Sequence, residues 1–191
     1  MSSASIGGKI EKIMTIHWKP VSKPSLIGGG LAAVAFMVYA AFKSNGFLLL
    51  DYVNLPIHEA GHLVFSPFGP TLGIWGGTLL QIIFPAVFFV YFALRADTAG
   101  AAFSAFWFGE SLLYSSVYIG DARAMVLPLV GGGEHDWNII LSGLGALSSD
   151  RDIADVVRFL GWTAMVVATF WFVKRGWESR AENPSGDSNP S

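Results

Sequence analysis

Long apolar stretches without a charged residue constrain this chain more than any other feature. Residues 24–42 and 63–94 contain no Asp, Glu, Lys or Arg, and residues 98–120 contain Glu110 as their sole charged side chain. A helix of about 20 apolar residues crosses the hydrocarbon core of a bilayer. A water-soluble domain is about 25% charged, whereas this chain of 191 residues is 14% charged and 52% hydrophobic. The pattern therefore predicts an integral membrane protein.

The expected fold is an all-α, polytopic transmembrane helical bundle with five or six membrane segments. A Gly-rich irregular segment near residues 128–136 interrupts it, and irregular backbone persists at membrane depth only where protein or a water-filled cavity surrounds it. We expect a polar cytoplasmic leader over residues 1–24, one membrane domain over 25–173 and a disordered polar tail over 174–191. The predicted apolar segments are 25–42, 47–65, 72–94, 101–119 and 156–173, with a short helix at 137–147.

Charge placement and composition narrow the possibilities further. With six membrane segments, more Lys and Arg residues fall on the side of the amino terminus, which predicts a multi-pass protein, of the cell membrane if prokaryotic, with a cytoplasmic amino terminus. With five segments, Lys and Arg are distributed almost evenly between the two sides of the membrane, so their distribution gives little information on the orientation. Cysteine is absent, which excludes disulfides and thiolate metal sites. No basic run suggests nucleic-acid binding, and the oligomeric state is left open.

One apolar segment carries the motif His58-Glu59-Ala60-Gly61-His62. On a helix the two histidines lie one turn apart on the same face, where both imidazoles reach one metal ion. Glu59 lies about 100° further round the helix, within reach of a water bound to that ion. Zinc lowers the pKa of such a water to about 7, and a neighbouring carboxylate takes its proton. The motif predicts one zinc ion on His58 and His62 with Glu59 as the base, the alternative being a hydrogen-bonded structural pair.

A catalytic zinc site usually has three protein ligands and one open position. The best source of the third ligand is the cluster Glu134-His135-Asp136, because the three glycines before it allow backbone conformations closed to other residues. Either His135 or Asp136 could bind the metal. Alternatively, Asp136 caps a helix that begins at Trp137, a position that Asp favours.

These features together resemble the site-2 protease family of intramembrane zinc metalloproteases. The similar features are the motif inside an apolar segment, a Gly-rich span after it and an aspartate in a later segment, over about residues 47–147. The resemblance implies His58, His62 and Asp136 as zinc ligands, Glu59 as catalytic base and a core of three membrane helices. The family's usual Asn-Pro-Asp-Gly or Leu-Asp-Gly signature and its inserted PDZ-like domain are absent, which indicates a minimal or divergent member.

The expected function is that of a metalloendopeptidase, a zinc hydrolase that cleaves a peptide bond within or beside the bilayer. Its substrate would be a membrane protein or a membrane-adjacent peptide that unwinds locally, because helical backbone is protected by its own hydrogen bonds. No further cofactor is expected. A metal transporter or sensor with a polar path through Asp51, Glu110 and Asp121 is one alternative, and a catalytically silent zinc-binding scaffold is another.

Several other polar or small residues lie in apolar surroundings. Gly76, Gly77 and Gln81 either line a substrate cleft or, for the glycines, allow close helix packing. Glu110 either lies near the active-site water or has a structural partner. The candidate partners are Tyr114, Ser111 and Arg123.

Asp51 and Asn54 precede His58 by seven and four residues, so an unbroken helix would place all three on one face. From that face the two side chains could orient the imidazoles. Pro56 opposes this interpretation if it marks the first turn of the helix instead.

Overall fold

The structure, a computed structural model, describes residues 17–43, 47–130 and 134–182. Within these ranges the chain forms α-helices and no strand, so the all-α prediction is confirmed. Short 3-10 turns follow the second helix and precede the last one, at Ser66–Phe68 and Leu147–Ser149. The described residues form six α-helices, which are α1 (Lys23–Phe42), α2 (Asp51–Phe65), α3 (Pro70–Leu94), α4 (Thr98–Gly120), α5 (Asp136–Gly143) and α6 (Asp150–Glu182).

Three of the described segments are long and apolar enough to cross a membrane: α1, α3 and Leu147–Arg180, which contains most of α6. Helix α2 has 15 residues and a length of about 22 Å, which is shorter than the hydrocarbon core of about 30 Å. Helix α4 is longer but carries buried polar side chains along its whole length. Three candidate spans are therefore present, and the count of five or six stays a prediction.

Helix α4 occupies the centre of the bundle, packed against both α3 and α6, while α2 packs on α3 and α1 on α6. The backbones of α4 and α6 touch where two glycines meet. A Cβ built on Gly109 would lie 2.7 Å from the Gly161 carbonyl oxygen, and a Cβ built on Gly161 would lie 2.7 Å from the Gly109 oxygen. This contact fixes the position of α4, the helix that lies behind the motif.

Polar side chains are buried in the interior of the bundle beside apolar ones, and many large apolar side chains cover its outside. Asp51, Asn54, Glu110 and Ser111 are all completely buried. Many valine, leucine and phenylalanine side chains of α1, α3 and α6 are exposed. Soluble proteins rarely expose large contiguous apolar patches, whereas a lipid-facing surface is apolar and polar groups at that depth face the bundle interior. The distribution agrees with the expected membrane location.

The two ends of the predicted membrane domain need correction. Helix α6 continues through Glu182, so the prediction of a disordered tail from residue 174 is wrong for residues 174–182. Lys174 and Arg175 lie 3.8 and 3.3 Å from Glu178, and ion pairs at this spacing stabilise a helix. Residues 183–191, and residues 1–16 of the predicted leader, lie outside the described residues.

The irregular segment and the helix after it agree with the prediction in part. Residues 125–129 and 134–135 form no helix, and the three glycines at 131–133 lie outside the described residues. Helix α5 begins at Asp136 and ends at Gly143, which is shorter than the predicted 137–147. It ends early because Leu144 and Gly145 form a turn, in which Gly145 has a positive φ of 65°, a conformation that glycine adopts readily.

Candidate metal centre

Helices α2 and α3 meet backbone to backbone beside the motif. A Cβ on Gly61 would collide with the carbonyl group of Gly76, and a Cβ on Gly76 would lie 2.8 Å from Cβ of Phe65. Gly69 makes the reversal between the helices, with a φ of 111° that favours glycine, and Pro70 then opens α3. Gly76 and Gly77 are buried in this contact, which supports the packing interpretation for them.

The structure brings both motif histidines to Asp136. Asp136 Oδ2 lies 3.1 Å from His58 Nε2 and 3.2 Å from His62 Nε2. One ligand atom from each of the three residues lies within 4.8 Å of the others. A tetrahedral zinc ion with bonds of about 2.0–2.1 Å keeps its ligand atoms about 3.3–3.4 Å apart. The two separations from Asp136 Oδ2 are close to that value, so the three atoms can serve as corners of one coordination shell.

The remaining ring nitrogens have acceptors of their own. His62 Nδ1 lies 2.8 Å from the Gly73 carbonyl oxygen, which only accepts, so this nitrogen carries a proton. His58 Nδ1 lies 3.2 Å from Gln81 Oε1. The amide nitrogen of Gln81 donates to the Ser111 carbonyl oxygen at 3.0 Å, which leaves Oε1 directed at His58 as an acceptor. Both imidazoles are thus held by their Nδ1–H groups.

This arrangement has a consequence for the Nε2 atoms. A neutral imidazole with its proton on Nδ1 presents a lone pair at Nε2. His58 and His62 would then direct two lone pairs at a carboxylate oxygen of Asp136, which is repulsive unless a cation lies between them. Protonating both rings would leave two imidazolium groups against one carboxylate, whereas a single divalent ion satisfies all three atoms. Two imidazole nitrogens and one carboxylate oxygen are a donor set that suits zinc.

His135, the alternative third ligand predicted from the sequence, does not join this group. Its buried ring stacks on Tyr118 at 4.2 Å between centroids. Its Nδ1 accepts from Asn138 N at 3.3 Å, so His135 caps helix α5, the role considered for Asp136. Its Nε2 lies 3.4 Å from Asp121 Oδ2. The structure therefore places Asp136, and not His135, with the two motif histidines.

Two contacts hold Asp136 in place. The Tyr118 hydroxyl accepts a hydrogen bond from Asp136 N at 3.1 Å and lies 3.4 Å from Asp136 Oδ2. Trp137 Nε1 donates to Thr78 Oγ1 at 3.2 Å and docks α5 on α3. Sequence reasoning missed Tyr118. The signal available was its spacing, since Tyr114 and Tyr118 lie four residues apart on one face of α4 and both face the motif.

Glu59 shares a cleft with the candidate metal ligands. The cleft has a volume of about 820 Å³ and is lined by His58, Glu59, His62 and Asp136. Glu59 is half-buried and lines the same cleft as the three ligand residues. The rest of the lining is mostly apolar. A water molecule and an extended peptide have room beside the base and the ligands.

No protein family matches this sequence. No curated protein and no solved structure matches it either. The resemblance to the site-2 protease family therefore stays a prediction, which rests on the motif residues and on the aspartate that follows them.

Asp51 and Asn54 do not orient the imidazoles, and this prediction is wrong. Helix α2 is unbroken across Pro56, but Asn54 Nδ2 donates to Glu110 Oε2 at 2.7 Å and its Oδ1 accepts from Trp107 Nε1 at 2.8 Å. Asp51 accepts from Leu48 N. The orienting role belongs instead to Gln81 and the Gly73 carbonyl.

Glu110 has a structural partner, as one interpretation predicted, but that partner is Asn54 and none of the three candidates. Arg123 is engaged elsewhere, 2.7 Å from Asp150 Oδ1. Glu110 does not line the metal cleft, so the interpretation that places it near the active-site water is not supported. It joins α2 to α4 behind the motif.

Proposed function

We propose that this protein is a zinc-dependent endopeptidase that cleaves a peptide bond within or beside a membrane, as the resemblance to site-2 proteases implies. One observation supports this most. Asp136 Oδ2 lies within 3.2 Å of both motif Nε2 atoms, and Glu59 opens into the same cleft. Those are the three ligands and the one base that hydrolysis of an amide requires.

Each residue of the site has its own role in the proposed reaction. A zinc ion held by His58, His62 and Asp136 would supply a Lewis acid that polarises the substrate carbonyl and makes water acidic enough to react near neutral pH. Glu59 takes one proton from the water that attacks the carbonyl carbon. It then delivers that proton to the leaving nitrogen as the C–N bond breaks. Gln81 keeps His58 in the tautomer and orientation that direct Nε2 into the cleft.

The proposed setting is a multi-pass membrane protein with five or six membrane segments and a cytoplasmic amino terminus. The apolar exterior and polar interior of the bundle support the membrane location. A substrate helix protects its peptide bonds with internal hydrogen bonds, so the segment to be cleaved must unwind before it enters. The predominantly apolar lining of the cleft suits a segment drawn from the bilayer.

Replacing the base tests this function directly. Glu59→Gln removes the proton acceptor while leaving all three ligand atoms in place. We expect the purified variant to retain zinc and to lose about 10²–10⁴-fold in the rate of cleavage of a model transmembrane substrate. Glu178→Gln, on the exposed carboxyl-terminal part of α6, is the matched control and should cleave at the parent rate.

The other outcomes separate the competing functions. Cleavage by Glu59→Gln at the parent rate would exclude this residue as the base. Zinc transport into vesicles by a parent protein that cleaves nothing would favour a transporter. Stoichiometric zinc with neither activity would indicate a silent scaffold.

A further inference from the structure

The metal cleft is acidic as well as apolar. Its lining includes the three carboxylates of Glu59, Glu134 and Asp136, and no Lys or Arg. The proposed metal and base account for two of these charges, because a divalent ion balances Asp136 and Glu59 together. Glu134 is left as a surplus negative charge at the edge of an apolar cavity, where water screens charges less than in bulk.

Glu134 has no structural role among the described residues. Its side chain is exposed, and in the part of the chain that the structure describes it forms no ion pair or hydrogen bond. Asp121 and Asp136, by contrast, have partners. Asp121, for example, accepts from Val126 N and Leu127 N. Among the described residues nothing competes for the Glu134 carboxylate with a charge that a ligand brings.

The position of Glu134 relative to the metal centre follows from the chain itself. It precedes Asp136 by two residues, so their Cα atoms are at most about 7 Å apart. An extended peptide advances about 3.3 Å per residue. A substrate side chain that reaches Glu134 therefore belongs to a residue about one to three positions from the bond at the metal.

The rest of the cleft lining favours apolar side chains in the substrate residues next to the basic one. The lining includes the irregular segment 127–130, of sequence Leu-Pro-Leu-Val, and further apolar side chains of α2, α3, α4 and α5. Val130 is more than half exposed and lines the same cleft as Glu134. A bound segment with apolar side chains would cover this surface, and one cationic side chain in it would reach the acid.

We propose that Glu134 is a specificity-determining residue that pairs with a Lys or Arg side chain of the substrate. The substrate class is then an apolar peptide segment carrying a basic residue close to the scissile bond, such as the end of a transmembrane helix. This inference rests on the proposed peptidase function. It adds to that function a charge preference that the zinc site alone does not create.

The test uses three model transmembrane substrates that differ at one position, two residues from the cleaved bond, with Arg, Gln or Glu. For the full-length parent protein we expect kcat/KM for Arg to exceed that for Gln by about 2–5-fold, as an exposed, partly screened ion pair provides. Glu134→Gln should reduce this ratio to about 1. Glu134→Arg should reverse the preference, so that the substrate with Glu is cleaved better than the substrate with Arg. Glu178→Gln should leave the ratio at the parent value.

Binding separates this inference from the peptidase proposal. Glu59→Gln, which should hold substrate without cleaving it, allows the dissociation constants of the three peptides to be measured by fluorescence anisotropy. The peptide with Arg should bind most tightly, then the one with Gln, then the one with Glu. This order should vanish in the double variant that carries both Glu59→Gln and Glu134→Gln. Equal binding and equal cleavage of all three peptides would overturn the charge preference and leave the peptidase intact. Ordered binding without any cleavage by the parent would overturn the peptidase and retain the preference for a cation.

Discussion

Gly77 lies directly against both motif histidines. A Cβ at this position would lie 2.5 Å from His58 Nε2 and 2.6 Å from His62 Nε2. Ordinary contact of a Cβ with its neighbours begins at 3.4 Å. In Gly77→Ala, the imidazoles or helix α3 must therefore move by about 0.8–0.9 Å, several times the tolerance of about 0.2 Å on metal–ligand distances.

The expected effect on zinc binding is large. Loss of an outer hydrogen-bond partner of a metal ligand typically weakens affinity about 10–100-fold. Gly77→Ala displaces two ligand atoms at once, so we expect a loss of at least about 100-fold. The change itself favours a helix, since alanine is better than glycine in a helix interior by about 0.5–1 kcal/mol. A fall in zinc affinity would therefore not reflect a weaker helix.

Competition with a chromophoric zinc chelator measures the affinity, and circular dichroism shows whether the variant is folded. Gly28→Ala is the matched control. It makes the same change inside α1, where a Cβ would meet no atom within 4 Å, and its zinc affinity should equal that of the parent. A folded Gly77→Ala protein that binds zinc with parent affinity would refute the placement of α3 beneath the metal centre.

Three further predictions concern the surroundings of the site. Gln81→Leu removes the acceptor of His58 Nδ1 and should weaken zinc binding about 10–100-fold in the same competition assay. Asp136→Ala should abolish stoichiometric zinc, as measured by elemental analysis. His135→Ala should keep the zinc and lose about 0.5–2 kcal/mol of stability, because it removes the helix cap. The reverse result would assign the metal to His135. Glu110→Leu removes the acceptor 2.7 Å from the buried Asn54 Nδ2, which keeps a longer contact of 3.4 Å to Asp51 Oδ1, and should lower the unfolding free energy by about 1–3 kcal/mol, while zinc binding is unchanged.

The local part of the site could be predicted from the sequence. The spacing of His58 and His62 fixes their common face through the geometry of one helix turn, and their apolar surroundings indicate that the pair lies inside a bundle. Close helix packing is one of two interpretations that the sequence offers for Gly76, because a small residue signals backbone approach wherever its partner lies. None of these inferences needs a distant residue.

Long-range partners could not be predicted to the same extent. Asp51 and Asn54 do share a helical face with His58. The spacing shows on which side of the helix these side chains lie, but it does not show which residue of another helix they contact. The neighbour of Asn54 is Glu110, 56 residues further along the chain. The choice between His135 and Asp136 depended on where α5 begins. That start is set by contacts with Tyr118 and Thr78, which belong to other helices.

The boundary of α6 shows a different limit. Residues 174–182 are polar, which favours an early end of the helix by composition alone. The pairs that Lys174 and Arg175 make with Glu178 depend on spacing, and they extend the helix beyond its apolar part. A polar composition therefore indicates where the apolar part of a helix ends, and not where the helix itself ends.

The metal content of the parent protein tests the central claim most directly. The full-length chain, purified in detergent without chelators, should contain one zinc ion per chain by elemental analysis. Its X-ray absorption spectrum should show imidazole nitrogens at about 2.0–2.1 Å, and His58→Ala should lose the ion. A parent protein without stoichiometric metal, or one whose zinc content is the same in His58→Ala, would contradict the account.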